Sequence, residues 1–412
     1  MLDKYYTKVL ANTSIYKDEV YISKVFHTEW FKMPKICLDV LDYSYDNNLK
    51  AGQMIDLFEE KEDKDYFKKI LKNLDNMGLL FHEPMKVMRI SNMNKITFAI
   101  TNKCNLNCSF CSQDSKITDV DELSFEQVKD ALDKIMMFNP KTIVLTGGEP
   151  MIRDDFFDII DYINSKYDVD IQICTNGTFI NEVNIKKFKN KIQAVDLSLD
   201  GYDEGSCSKV RGSGTFEKVN KSIYLLKQIG INKISASMVI GNHNAEVANK
   251  FTEFCESKSI KSIKRGFMRI GRGDLDRKYL KNILDSAYYP RIDEVEDTIN
   301  NARACGAGIR QLYVDHRGDV FPCSLLDSEE YKICTVEEID KYLVNKIYKR
   351  ESTAQRILDE ISPLNNYRCK DCKYKLFCNN CLANMKIMIE DEKIFNHNCE
   401  KLKYIYENCL FK

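Results

Sequence analysis

No apolar run in this chain approaches the roughly 20 consecutive residues needed to cross a bilayer. The opening stretch MLDKYYTKVL also lacks the apolar centre of a secretion signal. The expected location is therefore cytoplasmic, with no membrane partner. An excess of one charge is missing too, since 61 Lys and Arg stand against 62 Asp and Glu. That balance excludes a global basic footprint for nucleic acid and leaves any such patch to be local. There is no internal repeat and no low-complexity stretch, which excludes repeat arrays and compositionally biased tethers. Cysteine, by contrast, is abundant, at 16 in 412 residues. In a reducing compartment disulfides rarely persist, and clustered thiols more often bind metal. The length exceeds one ordinary core and points to two or three domains.

Residues 95–270 alternate β-rich apolar runs with amphipathic stretches. Strands are expected at 95–100, 142–147, 170–175, 194–199, 233–240 and 262–270, and helices at 124–138, 154–167, 181–189, 215–229 and 245–255. Strand-helix units in series imply an α/β fold with a parallel sheet, because each strand needs a crossover helix to return to the same end. Such a sheet could close partly into a barrel or stay open. The polar, glycine-rich segments TGGEP, TNG, SLDG and IGN all follow strand ends. Parallel α/β folds put their sites on that face, so these segments should converge on one ligand. The expected domains are 1–90, 91–290 and 291–412. Within the first, a ribbon at 19–26, helices at 35–43, 51–61 and 64–77, and a strand beginning after Gly78 make a small winged-helix pattern. Residues 305–409 are cysteine-dense and loop-rich, a segment organised by metal more than by an apolar core.

Directly after the first strand comes Cys104-Asn-Leu-Asn-Cys108-Ser-Phe-Cys111. Three thiolates on one short loop can each bind one iron of a four-iron four-sulfur cluster, leaving one iron without a protein ligand. The alternatives are a zinc site lacking a ligand, or reduced core cysteines. The polar neighbours Asn102, Asn105 and Asn107 argue against core burial.

The C-x3-C-x2-C loop, with Phe110 before its third cysteine, resembles the radical S-adenosylmethionine superfamily. So does Gly147-Gly148-Glu149-Pro150 at the end of the second strand. Thr175-Asn176-Gly177, Ser198-Leu199-Asp200-Gly201 and Arg211-Gly212 extend the likeness. Each alone is ordinary turn chemistry, but in ordered series they carry the resemblance. It implies a partial (β/α)6 barrel of TIM type, and S-adenosylmethionine chelating the open iron through its amino and carboxylate groups. Gly147, Gly148, Glu149 and Pro150 would meet the amino group, Ser198 and Arg211 the polar groups, and residues near Met238 the adenine. Phe110, Thr175, Asn176 and Asp200 belong to the same implied cofactor site. The implied chemistry is reductive cleavage to a 5′-deoxyadenosyl radical that abstracts hydrogen from an unactivated carbon. The reducing electron would come from a donor such as flavodoxin or ferredoxin. No general base is assigned, since His243 and Asp200 each read equally well as turn or capping residues.

A second cysteine system comprises Cys305 and Cys323, then Cys369-x2-Cys372-x5-Cys378-x2-Cys381, and Cys399. Paired C-x2-C knuckles alone read first as zinc ribbons. With the CGAG and GDVFPC segments they resemble the SPASM extension, which implies two auxiliary four-iron four-sulfur clusters and three clusters in all. Cys369, Cys372, Cys378 and Cys399 would hold one, and Cys305, Cys323 and Cys381 the other. The chain departs from the family in placing only Asn379 and Asn380 before Cys381, where three residues are usual. Cys334 or Cys409 could complete the second set. Cys37, Cys174, Cys207 and Cys255 read as buried or incidental thiols.

The N-terminal segment resembles the peptide-recognition element related to the pyrroloquinoline-quinone peptide chaperone. That likeness implies a leader peptide added as a strand to an edge near 21–25. A DNA-binding winged helix and a structural cap are the alternatives, but the would-be recognition helix 65–76 carries both signs of charge, which argues against nucleic acid. The expected function is modification of a ribosomally made precursor peptide by a thioether or carbon-to-carbon crosslink, or another oxidation. Two other readings are a sulfatase-maturase-like SPASM dehydrogenase acting on a protein, and an iron-sulfur DNA-binding regulator.

Overall fold

A computed structural model of the chain describes residues 1–25, 29–86, 93–121, 123–241, 244–268, 270–275, 305–378 and 381–410. His243, Asn379, Asn380, the Cys409 side chain and the domain boundary expected at 290/291 lie outside the described residues. The chain divides into two compact units. One comprises Met1–Ile90, Pro290–Gly306 and Arg356–Lys412, and the other Ser91–Tyr289 with Ala307–Gln355. The cysteine-rich region 305–409 is thus shared between them.

In the first unit, β1 (Tyr5–Tyr6) pairs with β5 (Leu80–Phe81), and β2 (Ala11–Tyr16), β3 (Glu19–Lys24) and β4 (Trp30–Pro34) form an antiparallel sheet in that order. Three helices, α1 (Lys35–Asp46), α2 (Ala51–Asp56) and α3 (Lys61–Asn76), lie between β4 and β5 in sequence. Alternation along the strands sends Val20, Ile22 and Met33 into the core that these helices share. α3 is rich in charge, yet Phe67, Ile70, Leu71 and Leu74 fall at helical spacing and are its buried stripe. Gly78, at φ +66°, lets the chain turn out of this helix into β5.

The sheet corrects one expectation. Residues 21–24 belong to the central strand, paired with β2 on one side and β4 on the other, so they offer no edge. The edges are β2 and β4. Residues 11–16 gave little strand signal because their alternation sets Ala11, Thr13 and Ile15 against Asn12, Ser14 and Tyr16, with no run of large apolar residues. The face of this sheet away from the helices is covered from the C-terminal segment: Phe377 packs edge-on against Trp30 (4.9 Å between centroids) and Tyr21 (6.0 Å), and Lys373 sits over the Tyr16 ring.

In the second unit, six strands run parallel in chain order: β6 (Lys95–Ala99), β7 (Thr142–Thr146), β8 (Asp170–Thr175), β9 (Ala194–Ser198), β10 (Lys233–Ile240) and β11 (Lys261–Gly266). A seventh, β12 (Gln311–Val314), adds parallel to β6, and β13 (Asp319–Phe321) and β14 (Cys334–Thr335) continue the sheet antiparallel. This is a mixed α/β architecture with a parallel centre. The last three strands come from the region read as metal-organised loop, where a short hairpin around Gly318 carries too little pattern to stand out.

The crossovers include α4 (Phe125–Met136), α5 (Phe156–Lys166), α6 (Glu204–Arg211), α7 (Thr215–Gln228) and α8 (Ala248–Ser257). The helix expected at 181–189 is only a 3₁₀ turn, Ile185–Phe188. Asn181 accepts from the Val183 and Asn184 backbone, and Asn184 donates to Phe179, so side chains capture groups a longer helix would use. α6 is short and polar; it starts at a capping box of Asp203 and Ser206.

One face of the parallel sheet buries Ile96, Phe98, Leu145, Ile173, Leu197 and Met238 in the main apolar core. Alternation therefore puts Thr97, Thr146, Cys174, Asp196, Ser198 and Ser237 on the other, polar face. Among the described residues no helix is long and apolar enough to cross a membrane.

Candidate cluster and cofactor site

The loop after β6 is folded on itself. Cys104 N donates to Lys116 O (3.2 Å) and Cys111 N to Cys108 O (3.2 Å). Its sulfurs meet N–H groups: Leu106 N at 3.4 Å and Asn176 Nδ2 at 4.0 Å from Cys104 Sγ, and Arg211 Nη1 at 3.8 Å from Cys108 Sγ. Burial pushes the Cys104 thiol up to about 11. Cys108 is also raised by burial, with the Arg211 charge opposing. The three thiols lie within electrostatic reach of one another. Converging thiols with N–H donors aimed at two of them fit three thiolates on a four-iron four-sulfur cluster, whose iron would offset the charge that burial resists. Phe110 is buried between the second and third cysteine. Among the described residues no three His, Cys, Asp or Glu side chains are gathered around a single-ion site.

The two glycines of GGEP are where they are because the cluster loop presses on them. Gly147 has φ +151°, and a Cβ there would stand 2.2 Å from Thr101 O; one on Gly148 would stand 2.3 Å from Lys103 O. In their absence Gly148 N donates to Thr101 O (3.0 Å) and Glu149 N to Lys103 O (2.8 Å). Pro150 then opens a 3₁₀ turn. Glu149 is fully buried and accepts from Thr175 Oγ1 (2.7 Å), Asn176 N (2.7 Å) and Met151 N (3.1 Å). Burial pushes its carboxyl up to about 7. Its side chain ties the end of β7 to the end of β8. Asn176 continues the tie by donating to Asn105 Oδ1 (2.9 Å).

A third layer comes from the SLDG turn. Asp200 sits at φ +53° with no solvent exposure, accepting from Val239 N and from Arg211 Nε. Gly201 is required because a Cβ would stand 2.5 Å from Cys207 N. α6 carries Arg211 back from that turn toward Cys108. Ser198, half-buried, ends β9 on the polar face, in register with Ser237.

Met238 differs from the other expected cofactor residues. Its side chain is fully buried in the apolar core, on the opposite face of β10 from Ser237 and Val239, so only its backbone borders the polar face. In the first unit, Cys369, Cys372 and Cys399 lie within electrostatic reach of one another. Cys378 follows Phe377, and Cys381 is exposed. Cys305 belongs to the first unit and Cys323 to the second. Cys37, Cys207, Cys255 and Cys334 are buried, with Cys207 donating to Leu199 O.

Sequence reasoning missed several supports of the loop. The buried Arg153 guanidinium donates to Ile100 O and Leu123 O (3.0 Å each) while paired with Asp155. Asp121 takes the Lys103 ammonium (2.8 Å) and the Thr101 hydroxyl. Arg272 also reaches the loop. The available signal was an arginine just after GGEP and another between two glycines after the sixth strand.

Parallel strands with a three-cysteine loop seated on two glycines define a class, and residues 98–255 match the family model of the Radical SAM superfamily. Over that segment the chain is similar to a radical SAM domain, a likeness that implies S-adenosylmethionine and a four-iron four-sulfur cluster. Among curated proteins, it is 31% identical over 157 residues to the mycofactocin maturase MftC of Mycolicibacterium smegmatis, a match covering 38% of this chain and 40% of that one. The chain thus spans only about two-fifths of the length of that relative. It is 26% identical over 306 residues to the antilisterial bacteriocin subtilosin biosynthesis protein AlbA of Bacillus subtilis, covering 68% of this chain and 67% of AlbA. Among solved structures, SuiB of Streptococcus suis bound to precursor peptide SuiA aligns with a TM-score of 0.54 at 14% identity, covering 94% of this chain and 97% of SuiB. That likeness is one of fold.

Proposed function

We propose that this protein is a radical S-adenosylmethionine enzyme that modifies a ribosomally synthesised precursor peptide, installing a thioether or carbon-to-carbon crosslink. The observation that carries the reading is the convergence of Cys104, Cys108 and Cys111 with the Gly147–Gly148 seat and the Asp200–Arg211 pair. The peptide assignment draws on a maturase and a bacteriocin biosynthesis protein among the relatives.

When bound, the cluster and S-adenosylmethionine supply a 5′-deoxyadenosyl radical able to take a hydrogen atom from an unactivated carbon. Cys104, Cys108 and Cys111 hold the cluster in this reading, and Asn176 and Arg211 direct N–H groups at two of the sulfurs, favouring their thiolate forms. Arg211 offers a fixed positive charge to the methionyl carboxylate, while Asp200 holds its orientation. The backbone of Gly147, Gly148 and Pro150 faces the amino group, braced by Glu149 and Thr175. Ser198 and the backbone beside Met238 line the nucleoside, and Phe110 belongs to the same cofactor site.

Residues 1–90 serve as the leader-binding domain, 91–290 as the radical domain and 291–412 as the auxiliary-cluster domain. With β3 central in its sheet, β4 is the proposed receiving edge: its Lys32 lies within electrostatic reach of Tyr66 on α3, which would wall one side of a groove. Cys369, Cys372, Cys378 and Cys399 hold one auxiliary cluster, and Cys305, Cys323 and Cys381 the other. Clusters held there would supply a one-electron acceptor or a site for a substrate thiolate.

Anaerobic reduction with S-adenosylmethionine, by flavodoxin or ferredoxin, is expected to yield 5′-deoxyadenosine. Coexpression with a precursor-peptide gene should give a peptide lighter by two hydrogens per crosslink. A fully clustered preparation that releases no 5′-deoxyadenosine overturns the enzymatic reading, and an unchanged peptide mass overturns the crosslink.

A further inference from the structure

The chain leaves β11 through an arginine between two glycines, Gly271-Arg272-Gly273, and this tripeptide is folded onto the cysteine loop from the far end of the parallel series. Arg272 N donates to Cys111 O (3.0 Å) and its Nε to Cys108 O (2.9 Å). Its Nη1 donates to Ser115 O (2.9 Å) and to Asp114 Oδ1 (3.2 Å). The side chain is 14% exposed. Gly271, at φ +55°, is pressed on the same loop: a Cβ there would stand 2.4 Å from both Cys111 O and Ser112 O. Two neighbouring residues thus meet the loop in separate ways, one by donating four hydrogen bonds and one by lacking a side chain.

We infer that Arg272 is a positioning residue for the cysteine loop and an electrostatic tuner of the cluster it would hold. This rests on the proposal that Cys104, Cys108 and Cys111 bind a redox-active cluster. A loop of three ligands must present its sulfurs on one side, so its carbonyls turn to the other. There, three of them converge on one main-chain amide and one guanidinium. The planar fork can serve carbonyls in two directions at once, which the single-headed ammonium of lysine cannot. The fixed positive charge beside the peptide units of two ligands also favours the more negative, reduced cluster, so it raises the reduction potential.

The test uses the full-length, reconstituted protein. Signals lost on exchanging Cys104, Cys108 and Cys111 together for Ala are first assigned to this cluster by electron paramagnetic resonance. Arg272→Gln is expected to lower its midpoint potential and to weaken its retention against an iron chelator about 10-fold or more. Arg272→Lys should keep most of the potential and lose most of the retention, because it keeps the charge without the fork. Gly271→Ala should broaden the resonance at a nearly unchanged potential. Wild-type potential, resonance and retention in Arg272→Gln overturn the inference. If the triple cysteine variant loses no signal, the cluster reading itself fails, and Arg272 falls with it for that separate reason.

Discussion

The Asp200 carboxylate, fully buried, holds Arg211 by its Nε while the other end of the guanidinium lies 3.8 Å from Cys108 Sγ. A buried carboxylate stripped of its partner is costly, and Asp200 also anchors Val239 N on β10. Arg211→Gln should therefore destabilise the fold by about 3–5 kcal/mol in urea unfolding. The double variant Asp200→Asn with Arg211→Gln should recover a good part of that. Arg211→Gln should also weaken S-adenosylmethionine binding roughly 10-fold or more, the usual weight of a charge-assisted hydrogen bond. If Arg211→Gln unfolds like the wild type, the pair is not the brace described.

Just after β7, Gly148 lies pressed against the backbone of the cysteine loop. Its substitution by Ala would put a Cβ 2.3 Å from Lys103 O and 2.6 Å from Asn102 O, both backbone atoms that cannot swing aside. The loop must move, and a displacement near 1 Å is enough to lower a positioned reaction about 100-fold. Release of 5′-deoxyadenosine from Gly148→Ala should fall by that order. Gly205→Ala is the control: its Cβ would meet only Asp203 Oδ1 at 3.7 Å, inside α6, where Ala is the better helix former by about 0.5–1 kcal/mol. It should keep activity and raise Tm slightly.

The legibility of this site followed its chemistry. Cys104, Cys108 and Cys111 with Gly147 and Gly148 could be read from sequence because ligand count and backbone contact restrict each position to one residue type. Asp200 and Arg211 were legible as motif members, but their union was not, since it depends on α6, a short polar helix with no apolar periodicity to announce it. Met238 could be read onto its strand but not onto a face, because which set of alternate residues β10 buries is not visible in the sequence. Tyr21 was read as an edge residue because β2 gave no apolar pattern, and β4 was seen only as a short following run. Arg272 was missed for a different reason: its role lies in contacts with residues more than 150 positions away, which no local pattern encodes.

Trp30 is the sole tryptophan of the chain, and it packs against Phe377, the residue before Cys378. Phe377 is 3% exposed and also meets Tyr21, so Phe377→Ala should cost about 3–5 kcal/mol. A double-mutant cycle with Trp30→Ala should return a coupling near 0.5–1.5 kcal/mol, the range for an edge-to-face pair. Iron-sulfur clusters absorb where tryptophan emits, so reconstitution should dim Trp30 by energy transfer. The dimming should persist in Cys305→Ala and largely disappear in Cys372→Ala. Equal quenching in both would remove the Cys372 cluster from the neighbourhood of Trp30.

Glu149 allows the effect of burial to be weighed against that of hydrogen bonding. Its carboxyl is pushed up to about 7 from an ordinary 4.5 by complete burial, although Thr175, Asn176 and Met151 all donate to it and pull the other way. In the unfolded chain it ionises as pH passes 4.5, while in the folded chain it keeps its proton until about 7. Between those values the folded state binds the extra proton. The contribution of this group to stability is thus largest below 4.5, declines as pH rises to about 7, and is level above that. A displacement of that size is worth about 3 kcal/mol. Glu149→Gln removes the titration, so the wild-type minus variant difference in unfolding free energy should fall by roughly that amount from pH 4.5 to neutral pH. A difference that stays flat, or grows, would mean that the three donors outweigh burial and that the β7–β8 tie is made by an ionised carboxylate.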